Sequence, residues 1–204
     1  FTKGHPQFEN NRTFIEGDPK AILMVEFREN DIQKLDLLIQ QVIQQLQSLK
    51  LGYSYPILAN EQIGNGWDIR KAGLGLIRNL ISDEQAVNLI EDCAVDPIDL
   101  PNYVLDIEQL LEKHQVRAAF YAHAGAGELH IEPFINLKSK EGQIKFRAIL
   151  SETVDILKKY NGSLSGEHGD GRLRGEFIPQ LMGNELYQLF VEIKNLFDPQ
   201  HIFN

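Results

Sequence analysis

Apolar residues recur three and four positions apart along several long stretches of the chain, which is the spacing of an amphipathic helix. After Asp31 this pattern includes Leu35 and Val42, and it stops at Gly52, a residue that commonly ends helices. Residues 67–80 also fit a helix, although two glycines weaken that prediction. Helices are predicted between Asp31 and Gly52 and over residues 67–80, 99–114, 142–160 and 185–197.

Shorter apolar runs with β-branched residues predict strands. The runs at 118–121 and 129–132 flank a turn of small residues, so we expect them to form an antiparallel hairpin. Because no strand runs into a G-x-G-x-x-G turn, a doubly wound nucleotide-binding fold is disfavoured. The predicted class is α+β, a single domain over residues 1–204 with a largely antiparallel sheet of about four to seven strands covered by the long helices. Further strands are predicted over 21–27, 55–58 and 86–95.

Composition narrows the classes of function. The net charge of −9 argues against a bulk electrostatic nucleic-acid binder. No apolar run approaches the roughly 20 residues of a membrane span. The lone cysteine, Cys93, excludes an internal disulfide and fits a reducing compartment, so a cytoplasmic protein is expected. The chain opens on Phe1 rather than on Met, and its closing segment, residues 197–204, carries apolar side chains almost to the last position, from which we expect a piece of a longer protein.

The first candidate site surrounds the small-residue turn. His123 and His130 lie seven positions apart across a run of glycine and alanine, and Glu132 follows two positions later. A turn between the two histidines would bring both rings to one side, where imidazoles beside a carboxylate can hold zinc, iron or manganese. The alternative is that each histidine is satisfied separately on the rim of a hairpin.

The second candidate site is a glycine-rich loop after the fourth predicted helix. It carries Glu167 and His168, followed by Arg172 and Arg174. Glu167 is a candidate third metal ligand, and His168 is a candidate general base because its ordinary pKa lies near the working pH. The two arginines are candidates for holding an anionic substrate or a cofactor phosphate. The alternative is a polar surface loop with ordinary ion pairs.

A third group lies at the start of the second predicted helix, where Trp67 precedes Arg70 and Lys71. An aromatic ring beside two cations suits a substrate carboxylate or the edge of a flavin. The alternative is a helix start with solvated charges. Cys93 is interpreted as a buried structural thiol, because nothing nearby in the sequence would activate it.

Taken in order, these segments resemble the C-terminal domain of FAD-linked oxidases. That family includes D-lactate dehydrogenases, glycolate oxidase flavin subunits and D-2-hydroxyglutarate dehydrogenases. The likeness is closest to the branch in which the flavoprotein is fused to an iron–sulfur module, and it covers roughly residues 20–204. The segments that carry it are 70–76, 91–95, 123–130, 167–172 and 196–199.

The resemblance implies where the cofactor binds and what the domain does. In the family, FAD binds mainly in an N-terminal domain of the same polypeptide, which this chain lacks. The C-terminal domain caps the flavin ring and supplies the substrate pocket. The implied activity is oxidation of a 2-hydroxy acid by hydride transfer to FAD, with electrons passing on to a further acceptor. An iron–sulfur cluster elsewhere in the complete protein is also implied.

The resemblance also implies roles for particular residues. Metal-dependent members carry a motif of the type His-x-Gly-Asp-Gly-Asn-Leu-His, whose two histidines match His123 and His130. The family's third ligand to zinc or manganese corresponds to Glu167, and its catalytic histidine corresponds to His168. Arg70 matches an arginine that binds the substrate carboxylate.

Three positions depart from that pattern. Ala126 and Glu128 replace the Asp and Asn of the motif. Glu132 stands where relatives carry arginine or asparagine in the substrate pocket, and a carboxylate there would repel a substrate carboxylate unless it is protonated or paired. These differences affect the predicted class of substrate more than the predicted metal ligands.

Three functions remain open from the sequence. The leading hypothesis is the substrate-binding cap domain of a flavin-dependent 2-hydroxyacid dehydrogenase, inactive alone. The second is a self-contained metallohydrolase that uses His123, His130 and Glu167. The third is a binding module of α+β fold in which the histidines are structural.

Overall fold

The computed structural model describes residues 2–79 and 81–203, which separate into two compact units, residues 1–79 and 80–204. The single-domain organisation stays a prediction. Leu80, the last residue of the second predicted helix, lies outside the described residues.

The first unit is helical. Short 3-10 helices at Pro6–Phe8 and Asn10–Arg12 precede α1 (Ile32–Ser48) and α2 (Gln62–Arg78). Asp31 caps α1 because its carboxylate accepts hydrogen bonds from the backbone N–H groups of Gln33 at 2.9 Å and Lys34 at 3.3 Å. Both helices were predicted, and the glycines of the second do not break it.

The strands predicted over 21–27 and 55–58 are wrong. Both segments lie outside regular secondary structure, and the first exposes the side chains of Ile22, Leu23 and Val25. A strand needs a neighbour to pair its backbone N–H and C=O groups. Within the described part of the first unit there is no strand to supply one, so an apolar run alone was not enough.

The second unit is an antiparallel sheet packed against helices. Its elements are β1 (Gln85–Ala86), β2 (Ile90–Ala94), α3 (Leu100–Lys113), β3 (Ala118–His123), β4 (Glu128–Ile135), α4 (Lys140–Lys159), α5 (Gly171–Arg174), α6 (Ile178–Met182) and α7 (Asn184–Phe197). Strand β4 pairs antiparallel with each of the other three. The α+β class and the antiparallel sheet are confirmed. The strand predicted over 86–95 is interrupted between β1 and β2.

Alternation along β4 separates the core from the site. Leu129, Ile131 and Ile135 point into the hydrophobic core, which also contains Ile107 of α3 and Val154 of α4. The side chains of the even-numbered residues of β4 lie on the opposite face of the sheet, because successive side chains along a strand alternate between its two faces. That face of β4 carries polar side chains: Glu128, His130 and Glu132, all buried. Among the described helices, none is both long and apolar enough to cross a membrane.

Candidate active site

The hairpin of β3 and β4 brings the two histidines together. His123 ends β3 and pairs with Glu128, the first residue of β4, while His130 pairs with Tyr121. The ring centroids of His123 and His130 lie 5.3 Å apart with their planes nearly perpendicular. The His123 side chain is 47% exposed and the His130 side chain only 7%, so the pair runs from the surface into the protein.

The turn between the histidines requires a glycine at one position. Residues Ala124–Ala126 form a 3-10 turn, and Gly127 follows in the left-handed region at φ 71°. A β-carbon at Gly127 would collide with the carbonyl oxygen of Val95. The same approach allows the Val95 N–H to donate a 3.0 Å hydrogen bond to the Gly127 carbonyl. The turn is therefore tied to the segment that follows β2.

The loop that carries Glu167 and His168 is held by Asp92 of β2. The backbone N–H of Glu167 donates to Asp92 Oδ1 at 2.8 Å, and that of His168 donates to Asp92 Oδ2 at 2.8 Å. The Ser165 hydroxyl also donates to Asp92 Oδ2. Burial would raise the pKa of Asp92, but the hydrogen bonds from Ser165, His168 and Glu167 outweigh it and hold that pKa well below its usual value.

These contacts place two imidazoles and two carboxylates at one point. The ligand atoms of His123, Glu128, His130 and Glu167 all lie within 4.8 Å of one another. His123 Nε2 is 3.9 Å from Glu167 Oε1, and His130 Nε2 is 3.5 Å from Glu128 Oε1. The predicted ligands His123, His130 and Glu167 are thus brought together, although their role as ligands stays a prediction. Glu128 joins them.

The residues present fit a divalent cation. Nitrogen and carboxylate oxygen ligands suit zinc or manganese. Glu128 Oε1 is buried and makes no hydrogen bond among the residues that the structure describes. A buried acceptor without a donor is costly, and a bound cation would satisfy it. Burial, a hydrogen bond with Asp92 and repulsion from Glu167 raise the pKa of Glu128 to about 7.

His168 lies beside this group. Its Nε2 atom is 3.4 Å from Glu167 Oε1, and its ring stacks on that of His130 with centroids 5.6 Å apart. The Nδ1 atoms of both rings face one carboxylate oxygen, Glu91 Oε1, at 3.3 Å from His130 and 3.8 Å from His168. The arrangement combines a candidate cation site, a half-exposed imidazole and a carboxylate that orients two rings.

The comparisons identify the family. Residues 3–204 match the family described as FAD linked oxidases, C-terminal domain. The chain belongs to this family. This confirms the resemblance predicted from the sequence and makes FAD the cofactor implied by membership. The relation to the branch fused to an iron–sulfur module stays a prediction.

Several relatives of this FAD-linked oxidase domain have named activities. It is 31% identical over 199 residues to a D-2-hydroxyglutarate dehydrogenase of Pseudomonas putida, covering 94% of this chain and 20% of that protein. It is 30% identical over 131 residues to a D-lactate dehydrogenase of Archaeoglobus fulgidus, covering 63% of this chain and 28% of that protein. It is 23% identical over 137 residues to a glycolate oxidase subunit of Bacillus subtilis, covering 67% of this chain and 28% of that protein. The chain spans about a fifth of the length of the D-2-hydroxyglutarate dehydrogenases it matches.

Three other predicted site residues of this FAD-linked oxidase domain lie in the second unit. Arg174, a predicted cofactor contact, is buried and donates to the backbone carbonyls of Leu164 at 3.1 Å and Gly169 at 2.7 Å. This favours a structural role. Arg172 is exposed, while Glu132 is fully buried on the same face of β4 as His130. Their substrate contacts stay predictions.

The third predicted group lies in the first unit. Trp67, Arg70 and Lys71 are on α2 at spacings of three and four, which place them on one side of the helix. Trp67 and Lys71 are exposed and Arg70 is half-buried. The contacts predicted for them, with flavin and with a substrate carboxylate, stay predictions.

Sequence reasoning missed three acidic residues of the site. Glu128 was treated only as a departure from a motif, although its position two residues before His130 on one strand places both on the same face. Glu91 and Asp92 lie in a run interpreted as one regular strand. Only the pairing of β2 with β4 puts Glu91 opposite His130, and no spacing along the chain signals that.

Proposed function

We propose that the chain is the substrate-binding domain of an FAD-dependent enzyme that oxidises a 2-hydroxy acid by hydride transfer to flavin. Family membership and the names of the relatives support this function. The observation that carries it is the meeting of His123, Glu128, His130 and Glu167 within 4.8 Å, with His168 Nε2 3.4 Å from Glu167. Family membership favours this function over a metallohydrolase or a non-catalytic module.

The proposal assigns the metal ligands to His123, His130 and Glu167, with Glu128 as a further carboxylate beside them. Zn²⁺ or Mn²⁺ held by these residues would supply Lewis acidity toward the substrate hydroxyl. FAD, when bound, supplies the hydride acceptor. The oxidation removes the proton of the substrate hydroxyl and a hydride from the carbon that carries this hydroxyl, which leaves a 2-oxo acid.

His168 is the proposed general base. In this proposal Nε2 is the proton acceptor, because Glu91 Oε1, 3.8 Å from Nδ1, favours the tautomer that carries its proton on Nδ1. A histidine suits this step because its ordinary pKa lies near neutral pH, so that the neutral ring is available to take a proton. The ring is about half exposed, as a group that must meet a substrate has to be.

Further roles are proposed for other residues and for partners of the chain. Arg70, Lys71 and Arg172 are proposed to bind substrate carboxylates, and Glu132 to line the substrate pocket. The proposed partners are an FAD-binding domain of the same polypeptide and an electron acceptor, with an iron–sulfur cluster elsewhere in the protein. A cytoplasmic location is also proposed.

The test is made in the complete protein and distinguishes the role of the proposed base from that of the proposed metal ligands. Flavin reduction by D-2-hydroxyglutarate and by D-lactate would be followed anaerobically by stopped-flow absorbance. Mn²⁺ affinity would be measured from the electron paramagnetic resonance signal of free Mn²⁺. His168→Gln should lower the reduction rate by about 10²- to 10⁴-fold and keep Mn²⁺ affinity. His123→Ala should lose Mn²⁺ affinity as well.

The matched control is His201→Gln, which changes an exposed histidine of the same unit. It should leave both the reduction rate and the Mn²⁺ affinity at wild-type values. Wild-type reduction rates in His168→Gln would refute the role of the base. Wild-type Mn²⁺ affinity in His123→Ala would refute the ligand set.

A further inference from the structure

The starting observation is an irregularity in β2. The pairing of β2 with β4 runs from Glu91 opposite His130 to Cys93 opposite Leu129, so Asp92 has no partner and forms a bulge. Asp92 also has φ 72°, in the left-handed region. A bulge re-aims a side chain that would otherwise alternate to the other face of the sheet. Here two consecutive acidic residues, Glu91 and Asp92, both serve the site.

Asp92 receives a hydrogen bond from each of four consecutive loop residues. The Ser165 hydroxyl and the His168 N–H donate to Oδ2, and the Glu167 N–H donates to Oδ1. The Gly166 N–H donates to the Asp92 backbone carbonyl at 2.7 Å. Three of the four bonds come from backbone N–H groups, those of Gly166, Glu167 and His168, so a shift of this backbone would break bonds to Asp92. Both carboxylate oxygens are thereby engaged within the protein.

Arg174 secures the same loop from its carbonyl side. Its guanidinium donates to the carbonyl of Leu164, before the segment, and to that of Gly169, after it. It lies 3.9 Å from Asp92 Oδ2, so the two buried charges are paired. The loop is thus held by Asp92, an anion that accepts hydrogen bonds from its N–H groups, and by Arg174, a cation that donates hydrogen bonds to its C=O groups.

We infer that Asp92 is the positioning residue of the reaction: its carboxylate fixes the backbone of residues 165–168, so that Glu167 and His168 are held in place before substrate or metal binds. The inference rests on the proposed function. Partners of metal ligands and catalytic groups set their orientation, and small misplacements of such groups are costly to the rate. Asp92 acts through Glu167 and His168 and does not itself touch substrate.

Asp92 can be tested with a substitution that keeps the shape of the side chain and removes its charge. Asparagine has the same shape but a single acceptor oxygen. In either amide orientation of Asp92→Asn, the NH₂ group faces the backbone N–H of Glu167 or of His168, so at least one bond is lost. Ser165→Ala removes only the hydroxyl bond and leaves both N–H bonds intact. Asp96→Asn is the matched control, because Asp96 is exposed and accepts the N–H of Ile98 at 3.0 Å.

The experiment uses the complete protein and three measurements. Hydrogen–deuterium exchange would report how well the amides of residues 165–168 are protected. The electron paramagnetic resonance signal of free Mn²⁺ would give the metal affinity, and anaerobic stopped-flow absorbance would give the limiting rate of flavin reduction. Asp92→Asn should speed exchange, weaken Mn²⁺ binding about 10- to 100-fold and lower the limiting rate about tenfold or more at saturating Mn²⁺. The half-saturating substrate concentration should change less than the limiting rate. Asp96→Asn should match wild type.

A purely structural role would give a different result. Asp92→Asn would then unfold at a lower temperature while its Mn²⁺ affinity and limiting rate stayed at wild-type values, and this would overturn the inference. If Asp92→Asn does not fold, Ser165→Ala decides: faster exchange with a limiting rate lowered about two- to fivefold supports the inference, and unchanged values overturn it.

Failure of the proposed function is recognised separately. It would appear in the wild-type protein, as the absence of both Mn²⁺ binding and flavin reduction by hydroxy acids. The exchange comparison then decides the inference alone. Faster exchange in Asp92→Asn would support Asp92 as the residue that holds the loop, and exchange equal to that of Asp96→Asn would overturn it.

Discussion

Replacing Gly127 with alanine should disrupt the hairpin that joins His123 to His130. Gly127 has φ 71°, and a β-carbon there would meet the carbonyl oxygen of Val95 and lie 3.2 Å from the nitrogen of Pro97. These neighbours are backbone atoms, which cannot rotate away as a side chain would. The turn must therefore move, and the two histidines that flank it must move with it.

The cost has two parts. A residue with a β-carbon in the left-handed region costs about 1–2 kcal/mol, and forcing extra volume into a packed site costs typically about 1–3 kcal/mol. The expected loss of stability in Gly127→Ala is therefore about 2–5 kcal/mol. At about 4 °C per kcal/mol for a unit of this size, the unfolding temperature should fall by about 8–20 °C.

Gly125 supplies the matched control in the same turn. A β-carbon at Gly125 would meet no atom within 4 Å, and its φ is not in the left-handed region. Gly125→Ala should leave stability unchanged or raise it by about 0.4–1 kcal/mol, because alanine restricts the unfolded chain. Calorimetry gives the unfolding temperature, and free-Mn²⁺ resonance gives the affinity of the site. Equal unfolding temperatures and equal Mn²⁺ affinities in the two variants would refute the reasoning.

Two further variants test the surroundings of the site and of the core. Glu91→Gln should weaken Mn²⁺ binding about tenfold, because an amide orients the His130 ring less firmly than the carboxylate 3.3 Å from its Nδ1; wild-type affinity would contradict this. Asp106 accepts hydrogen bonds at 2.6 Å from Lys159 and Tyr160, which lower its pKa below the usual 3.8. Its stabilising effect is therefore present above that pH and lost as the pH falls through the lowered pKa. Asp106→Asn should destabilise the protein by about 1 kcal/mol or less at about pH 7, and the difference should shrink towards pH 3 in calorimetry; a difference independent of pH would contradict it.

Two of the long helices, α3 and α4, were predictable because the apolar face that their spacing implies packs into the hydrophobic core. The helix predicted over 99–114 is observed as Leu100–Lys113, and that over 142–160 as Lys140–Lys159. Tyr103 and Ile107 of the first and Ile149 and Val154 of the second all lie in the buried core. The strands of the first unit failed for the converse reason, since a strand is completed by a partner that the run itself does not encode.

The histidines of the site were predictable because the turn that joins them is local. Only six residues, two of them glycines, separate His123 from His130. The hairpin that they form brings the two rings to a centroid distance of 5.3 Å. Glu167 and His168 were also predicted from the sequence, as a carboxylate and an imidazole in a glycine-rich loop, but no local turn joins them to His123 and His130. Their approach depends on contacts with Asp92, which lies 75 and 76 positions away along the chain.

Asp92 shows why the rest of the site could not be deduced from the pattern. In the sequence it interrupts an apolar run in the way that any outward-facing polar residue of a regular strand would. Its actual side-chain direction depends on a left-handed φ and on the slip in register between Glu91 and Cys93, and neither leaves a periodic signal. Burying a carboxylate is costly unless its charge is satisfied, and the Asp92 carboxylate accepts three hydrogen bonds from this one loop. Asp92, whose side-chain direction periodicity does not reveal, is therefore the residue that accepts the backbone N–H groups of both Glu167 and His168.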